Sequence, residues 1–88
     1  MGLWEGCRMI VLWETDEGEV HYAVWTFGGR GVLHLQVESL GEYGWDWHVW
    51  ERSGRGQQRY GLADALPAAK AKAEAALDAL AQELGLTT

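Results

Sequence analysis

The fold is decided by residues 32–52, which read VLHLQVESLGEYGWDWHVWER. Aliphatic side chains alternate with polar ones over 33–38, and tryptophans alternate with polar side chains over 45–48. A period of two is typical of strands that bury one face. The connection at 41–44 is too short for parallel pairing, which needs a crossover of about a dozen residues. These residues therefore predict two neighbouring antiparallel strands.

Two earlier segments extend this hairpin. Residues 8–14 and 19–27 also predict strands, and the glycine-bearing links at 15–18 and 28–31 are again short enough only for hairpins. The resulting sheet spans 8–52 as a four-stranded antiparallel meander. After it, 53–61 predicts a glycine- and arginine-rich loop, with a weaker extended piece at 60–62.

The C-terminal part differs in composition, since 62–88 contains both lysines and no aromatic residue. It predicts one helix over 64–84, with Asp64 as N-cap, Pro67 in the first turn and Gly85 after the end. The apolar positions recur every three or four residues along one face. The chain of 88 residues is thus predicted as one α+β domain, a meander packed on one face by a single amphipathic helix. The apolar stripe is Leu66, Ala69, Ala73, Ala76, Leu77, Leu80 and Leu84.

Loop lengths decide which side chains share a face. We expect a two-residue turn at 17–18, a four-residue loop at 28–31, and a one-residue bulge at Gly41 or Gly44 that keeps the tryptophans of 45–49 on the core side. With this register, the core face carries Met9, Val11, Trp13, Val20, Tyr22, Val24, Thr26, Leu33, Leu35, Val37, Ser39, Trp45, Trp47 and Val49.

One helix covers one face of a sheet, so the opposite face is predicted to be open. Its aromatic content exceeds the scattered apolar residues of a typical monomer surface, which favours an association surface. The alternative is internal cover by Leu3 and Trp4 or by a curled sheet. The residues expected on this face are Arg8, Ile10, Leu12, Glu14, His21, Ala23, Trp25, Phe27, His34, Gln36, Glu38, Asp46, His48 and Trp50. Those predicted to contact a partner are Trp25, Phe27, Trp50, His34 and His48.

Charge is unevenly distributed along the chain. The formal charge is −6 overall, and residues 1–51 alone hold nine acidic side chains against two arginines. The hairpin end with Glu14, Asp16, Glu17 and Glu19 predicts a contact for a basic partner, with a merely solvated turn as the alternative. The loop arginines Arg52, Arg55 and Arg59 are the candidate contacts for phosphate or an acidic partner.

Several function classes are not supported by any motif. No catalytic signature is present, so no catalytic residue, cofactor or enzyme activity is predicted. The histidines His21, His34 and His48, expected beside Glu38 and Asp46, lack the spacing of a metal site. Cys7 is the only cysteine and is interpreted as a small half-buried thiol. Because no signal or membrane segment is evident, we expect a cytoplasmic protein.

Residues 45–84 resemble the end of many small phage and prophage proteins. The resemblance rests on WDWHVW at 45–50, a polar glycine loop, Gly61, and AKAKAEAAL at 69–77. In size and acidity the chain is also similar to anti-CRISPR proteins. That resemblance implies binding to a Cas effector in a bacterial host cell, by occupying its basic nucleic-acid channel or locking its subunits, and it transfers no functional residue.

The sequence therefore predicts a binding protein without chemistry of its own. The favoured function is a phage-derived inhibitor that presents its acidic hairpin and aromatic face to a basic host protein. One alternative is a nucleic-acid-binding accessory module in which the loop arginines meet phosphates and Trp50 or Trp25 stacks on a base. Another is a small structural or regulatory homodimer whose sheet faces pair.

Overall fold

A computed structural model describes residues 2–5, 8–26, 32–51 and 58–85. The predicted contacts Phe27, Arg52 and Arg55, together with Cys7, lie outside the described residues. The elements in chain order are the strands β1 (Gly2–Glu5), β2 (Arg8–Val11), β3 (Glu14–Asp16), β4 (Val20–Thr26), β5 (Val32–Ser39), β6 (Trp45–Glu51) and β7 (Gln58–Ala63), and the helix α1 (Leu66–Glu83).

The chain is α+β, with an antiparallel sheet and one C-terminal helix. Strands β3 to β7 form a five-stranded meander in chain order, and β1 pairs with β2 in a separate hairpin. The predicted meander of four strands was therefore one strand short. The predicted first strand is split between β2 and β3, and the predicted loop over 53–61 gives way to β7 at residue 58.

The helix follows the predicted pattern except at its first residue. It begins at Leu66, with Pro67 in its first turn, where the missing N–H breaks no helical hydrogen bond. The prediction of Asp64 as the N-cap is wrong. Ala65 takes that position, in an extended conformation and without a side-chain cap. At the other end Gly85 has φ 69°, the left-handed conformation that glycine adopts at little cost.

The core lies between the helix and one face of the sheet. The helix packs on β5, β6 and β7, and its alanines at 69 and 73 are fully buried, which allows a close approach of helix and sheet. At the margin, Trp13 Nε1 donates a hydrogen bond to Glu74 Oε2 at 2.7 Å, and Lys70 Nζ lies 5.5 Å from the centre of the indole. The buried set from the sheet is Ala23, Trp25, Leu33, Leu35, Val37, Val49 and Ala63, and from the helix Ala69, Ala73, Leu77, Leu80 and Ala81.

The register between β4 and β5 differs by one residue from the predicted one. Thr26 pairs with Val32, so five residues connect the strands instead of the expected four. Because successive side chains point to opposite faces, a shift of one residue turns the whole strand over. Trp25 consequently lies opposite Leu33 on the helix side.

The turn between β3 and β4 is also one residue longer than predicted. Asp16 pairs with Val20, which leaves three residues in the turn, with Glu17 at φ 54° and Gly18 at φ 78°. Each of the two longer connections turns the preceding strand over once, and β3 lies beyond both of them. Glu14 therefore points away from the helix, as predicted. Only β4 is inverted.

The predicted bulge between β5 and β6 is absent. Pairing runs without interruption from Leu33 opposite Glu51 to Ser39 opposite Trp45. A 3-10 turn at Gly41–Tyr43 supplies the extra loop residue, closed by a hydrogen bond from Leu40 N to Gly44 O at 2.8 Å. Trp45, Trp47 and Val49 still share the face of Leu35, so the predicted placement is right and its cause is different.

The inversion of β4 corrects the expected membership of both faces. Trp25 and His21, predicted on the open face, are only 2% and 6% exposed on the helix side. His21 also accepts or donates one hydrogen bond there, between its Nδ1 and Thr15 Oγ1 at 3.0 Å. Ala23 moves inward with them, whereas the expected core residues Val20, Tyr22, Val24 and Thr26 lie on the other face.

Trp47 and Gly61 form a close contact between adjacent strands. They are directly opposite each other, and the indole of Trp47 covers the glycine backbone. A Cβ atom at position 61 would lie 2.8 Å from the indole, closer than carbon atoms pack. Gly61 is therefore required by packing, in a strand where a glycine would otherwise be unfavourable.

We predict that Gly61→Ala lowers the free energy of unfolding by about 1–3 kcal/mol, because the added methyl group overpacks the interface. Urea denaturation followed by circular dichroism measures this loss. In a Trp47→Phe background the same substitution is expected to cost less, since the smaller ring leaves room. An equal cost in both backgrounds would contradict the contact.

The two tryptophans that the sequence placed together on the open face should differ in stability. Trp25→Ala is expected to cost about 3 kcal/mol or more, because it empties a buried site. Trp50→Ala is expected to cost less, about 1–2 kcal/mol, because the half-buried indole loses its ring contacts with His34 and His48 but leaves no core cavity. Urea midpoints of the two variants compare them directly, and similar losses would contradict the assigned register.

Candidate functional site

The face of the five-stranded sheet that points away from the helix is the candidate site, and we call it the open face. It is built from alternate residues of five consecutive strands, so its side chains are held by a continuous hydrogen-bonded ladder. Its described members are Glu14, Asp16, Val20, Tyr22, Val24, Thr26, Val32, His34, Gln36, Glu38, Asp46, His48, Trp50, Gln58, Tyr60 and Leu62.

One transverse row on this face is acidic. The strand register aligns Asp16 with Val20, Val20 with Glu38, and Glu38 with Asp46. Glu38 and Asp46 are thus directly opposite each other on neighbouring strands, an arrangement in which like charges destabilise a sheet. We call Asp16, Glu38 and Asp46 the acidic row.

The predicted acidic hairpin adjoins this row. Glu17 and Glu19 occupy the turn that follows Asp16, and all three side chains are exposed. The turn is joined to the end of β5 by a hydrogen bond from Ser39 N to Glu19 O at 2.8 Å. The hairpin and the open face, which the sequence presented as two separate candidate surfaces, therefore form one continuous surface.

A cluster of ring side chains lies beside the acidic row, and we call it the aromatic row; its members are His34, His48, Trp50 and Tyr60. His34 stacks on Trp50 with ring centres 5.2 Å apart and planes 11° from parallel. His48 packs against the same indole at 4.8 Å and meets Tyr60 edge to face at 6.1 Å. His48 Nε2 also lies 2.8 Å from Gln58 Oε1, and because that oxygen accepts, the imidazole donates. These contacts link the side chains of the row across β5, β6 and β7.

Several apolar groups of the open face remain accessible. Tyr60 is 71% exposed, Leu62 62% and Tyr22 40%. Exposed aromatic and aliphatic groups fixed on a rigid sheet are typical anchors of protein interfaces. They cost little conformational entropy on binding because their backbone is already ordered.

A shallow cleft opens at the β6–β7 side of this face. Its volume is about 560 Å³, and it is open to solvent. The register places Asp46 opposite Leu62 and His48 opposite Tyr60, so the carboxylate and the phenol are diagonal neighbours across the cleft. The lining residues are Asp46, His48, Gln58, Tyr60, Gly61 and Leu62.

The structure brings together only some of the predicted contact residues. His34, His48 and Trp50 share the open face with Glu14, as the alternation predicted, and Asp16, predicted only in the hairpin turn, lies on it as well. The prediction for Trp25 is wrong because of the β4 register. Arg59 is not on a free loop either: it lies in β7 on the helix side and forms an ion pair with Glu83 of the helix.

Sequence reasoning missed two groups of residues on this surface: Val20, Tyr22, Val24 and Thr26, which it placed in the core, and Gln58, Tyr60 and Leu62. The last three belong to β7, which was predicted only as a weak extended piece. The signal was present, since Tyr60 and Leu62 alternate with Arg59, Gly61 and Ala63, but the two glycines of the preceding loop made 53–61 resemble one irregular segment.

The described residues contain no group of three histidine, cysteine or acidic side chains placed to hold a metal ion. His21 lies on the opposite side of the sheet from His34 and His48, so the expectation that the three histidines share a face is corrected. No helix among the described residues is long and apolar enough to span a membrane. What this surface offers is negative charge beside aromatic rings.

Comparison with known proteins finds no match to a family model, to a curated protein or to a solved structure.

The repulsion between the opposed carboxylates of Glu38 and Asp46 can be measured as a change in the stability of the protein without a partner. We predict that Glu38→Gln raises the free energy of unfolding by about 0.2–0.5 kcal/mol, because it removes a like-charge cross-strand pair. Glu42→Gln, in the adjacent loop without an opposed carboxylate, is the control and should have a smaller effect. The difference should shrink in 1 M salt, and a loss of stability in Glu38→Gln would contradict the prediction.

Proposed function

We propose that this protein is a non-enzymatic binding module whose open face docks on a positively charged surface of a protein partner. The acidic row supplies charge complementarity, and the aromatic row and its neighbours supply apolar anchors. Electrostatic complementarity of this kind steers association and selects partners. Aromatic anchors contribute most of the affinity of typical interfaces.

The observation that carries the proposal is the direct opposition of Glu38 and Asp46. No lysine or arginine side chain of the described sheet residues lies on the open face, and Arg59 is engaged with Glu83 on the other side. The free protein therefore holds a repulsive pair without a neutralising cation from these strands. A cationic partner removes this repulsion, so part of the binding energy is already stored in the free fold.

The narrower form of the proposal comes from the resemblance to anti-CRISPR proteins. In this form the partner is a Cas effector in the cytoplasm of a bacterial host, and the acidic row occupies a channel that otherwise binds nucleic acid. The charge of −6 and the aromatic anchors suit such a channel. Inhibition of target cleavage by a purified effector, reversed by Glu38→Lys, tests this form.

A second candidate function is supported by the aromatic row alone. Rings exposed on an antiparallel sheet also serve as platforms on which single-stranded nucleic acid stacks. Stacking platforms work with basic side chains that meet the phosphates, whereas the described part of this face carries Glu14, Asp16, Glu38 and Asp46. We therefore expect no binding to a labelled oligonucleotide at low salt, and binding lost on Trp50→Ala would favour this second function.

A homodimer formed by two open faces is the third arrangement. Two copies of the acidic row would meet at such an interface, and like charges oppose this pairing. We expect a monomer in sedimentation at tens of micromolar. A dimer that Glu38→Lys disrupts or strengthens would move the assignment to self-association.

The proposal is tested by charge reversal on the two sides of the molecule. The immobilised full chain is incubated with lysate of a bacterial host, and the captured protein is compared with that captured by Glu38→Lys and by Asp78→Lys on the helix. We expect the captured protein to be basic, and the reversal of Glu38 to reduce its capture at least about tenfold. Reversal of Asp78, which changes the net charge equally, should leave capture almost unchanged.

Tyrosines give a matched test of the apolar anchors. Tyr60 on the open face and Tyr43 in the β5–β6 loop are 71% and 78% exposed, so their removal perturbs the free protein similarly little. We expect Tyr60→Ala to weaken capture and Tyr43→Ala to leave it unchanged. Capture that survives both Glu38→Lys and Tyr60→Ala would contradict the open face as the binding surface.

A further inference from the structure

The cleft between β6 and β7 combines a carboxylate with aromatic rings. Among the described residues, nothing pairs with or donates a hydrogen bond to the half-buried carboxylate of Asp46. Tyr60 lies diagonally across from it, and diagonal neighbours in an antiparallel sheet are about 7–8 Å apart, within reach of a long side chain laid between them. The site is thus bordered by negative charge on one side and by a ring on the other.

The polar wall of the cleft is already arranged. His48 Nε2 is engaged by Gln58 Oε1, and its ring packs against Trp50, so this nitrogen is directed at Gln58 and not at Asp46. Gly61 forms the floor at the point where Trp47 closes the other side of the sheet. A ligand entering the cleft therefore meets the carboxylate of Asp46, the one charged group among the described lining residues without a partner, while Lys72 Nζ is engaged at the edge by Leu62 O at 3.1 Å.

The chemistry of these groups discriminates between the two common basic side chains. A guanidinium is planar, forms two parallel hydrogen bonds to a carboxylate, and stacks on aromatic faces. An ammonium is a compact, strongly hydrated point charge that uses neither feature fully. The pairing of one carboxylate with a neighbouring exposed ring matches the guanidinium.

We infer that the cleft binds an arginine side chain of the partner, with the guanidinium paired to Asp46 and stacked on Tyr60. This inference rests on the proposed function, because it names the side chain through which a basic partner is recognised. It adds selectivity to charge complementarity: the acidic row attracts any cationic surface, whereas the cleft prefers arginine to lysine. The apolar stem of the arginine packs along Leu62 at the edge of the site.

The test uses two synthetic hexapeptides, one alternating arginine with threonine and the other alternating lysine with threonine, both capped at their termini. Each is titrated into the uniformly ¹⁵N-labelled full chain, and amide and indole shifts give the dissociation constant. We expect the arginine peptide to bind at least about fivefold more tightly than the lysine peptide. The largest shifts should fall on residues 46–48 and 60–62.

Two carboxylate variants separate the cleft from general charge attraction. Asp46→Asn should abolish the arginine preference, whereas Glu38→Gln, which removes the same charge outside the cleft, should weaken both peptides equally and keep the preference. Tyr60→Ala should reduce the preference, and Tyr43→Ala should not.

The outcomes distinguish the two levels of the argument. Equal affinity for both peptides, weakened by Glu38→Gln, would overturn the arginine cleft and leave the acidic open face as a binding surface. Arginine preference that persists in Asp46→Asn would also overturn the cleft. Failure of both peptides to bind at millimolar concentration would contradict the cleft and the proposed function together.

Discussion

The pairing of Trp25 with Leu33 is the contact on which the rest of the structure depends. It fixes the register between β4 and β5, and with it the face that each side chain of β4 occupies. With this register an indole fills the core, and Tyr22 is left on the surface. A shift of one residue would expose Trp25 and bury Tyr22, and the open face would lose its present chemistry.

The sequence predicts the elements of this fold better than their register. The spacing of apolar residues in the helix is unambiguous, and Ala69, Ala73, Leu77 and Leu80 are buried as predicted. The strand VHYAVWT is different, because it carries apolar side chains on both faces: Tyr22 and Val24 on one, Ala23 and Trp25 on the other. Its hydrophobic pattern therefore does not select a face, and the choice passes to the lengths of two glycine-containing loops.

The candidate site was likewise predictable where the sequence pattern is clear and not where it depends on an unrecognised strand or on register. His34, His48 and Trp50 alternate on β5 and β6, where the pattern is clear, and their shared face follows from it. Tyr60 and Leu62 could be placed only by predicting β7. That edge strand is hard to recognise, because a glycine-rich segment precedes it and Asp64 follows it. The cross-strand opposition of Glu38 and Asp46 depends on a continuous register, which starts directly beyond the 3-10 turn at Gly41–Tyr43.

The two faces of the sheet differ in how their polar and aromatic side chains are partnered. On the helix side, even the marginal side chains Trp13 and Arg59 are engaged by helix residues. The open face retains opposed carboxylates and exposed rings, features that lower the stability of an isolated domain and on which the proposed docking of a basic partner rests. Natural proteins commonly keep such local conflicts at functional sites.

Thiol labelling tests most directly whether Tyr22, and not Ala23, belongs to the open face. In a Cys7→Ser background, single cysteines are placed by Tyr22→Cys and by Ala23→Cys, and their reaction with a thiol reagent is timed under native conditions. Cysteine at 22 should react near the rate of a free thiol. Cysteine at 23 should react at least about a hundredfold more slowly, because labelling there requires local opening. Fast labelling at 23 with protection at 22 would contradict the structure of the open face.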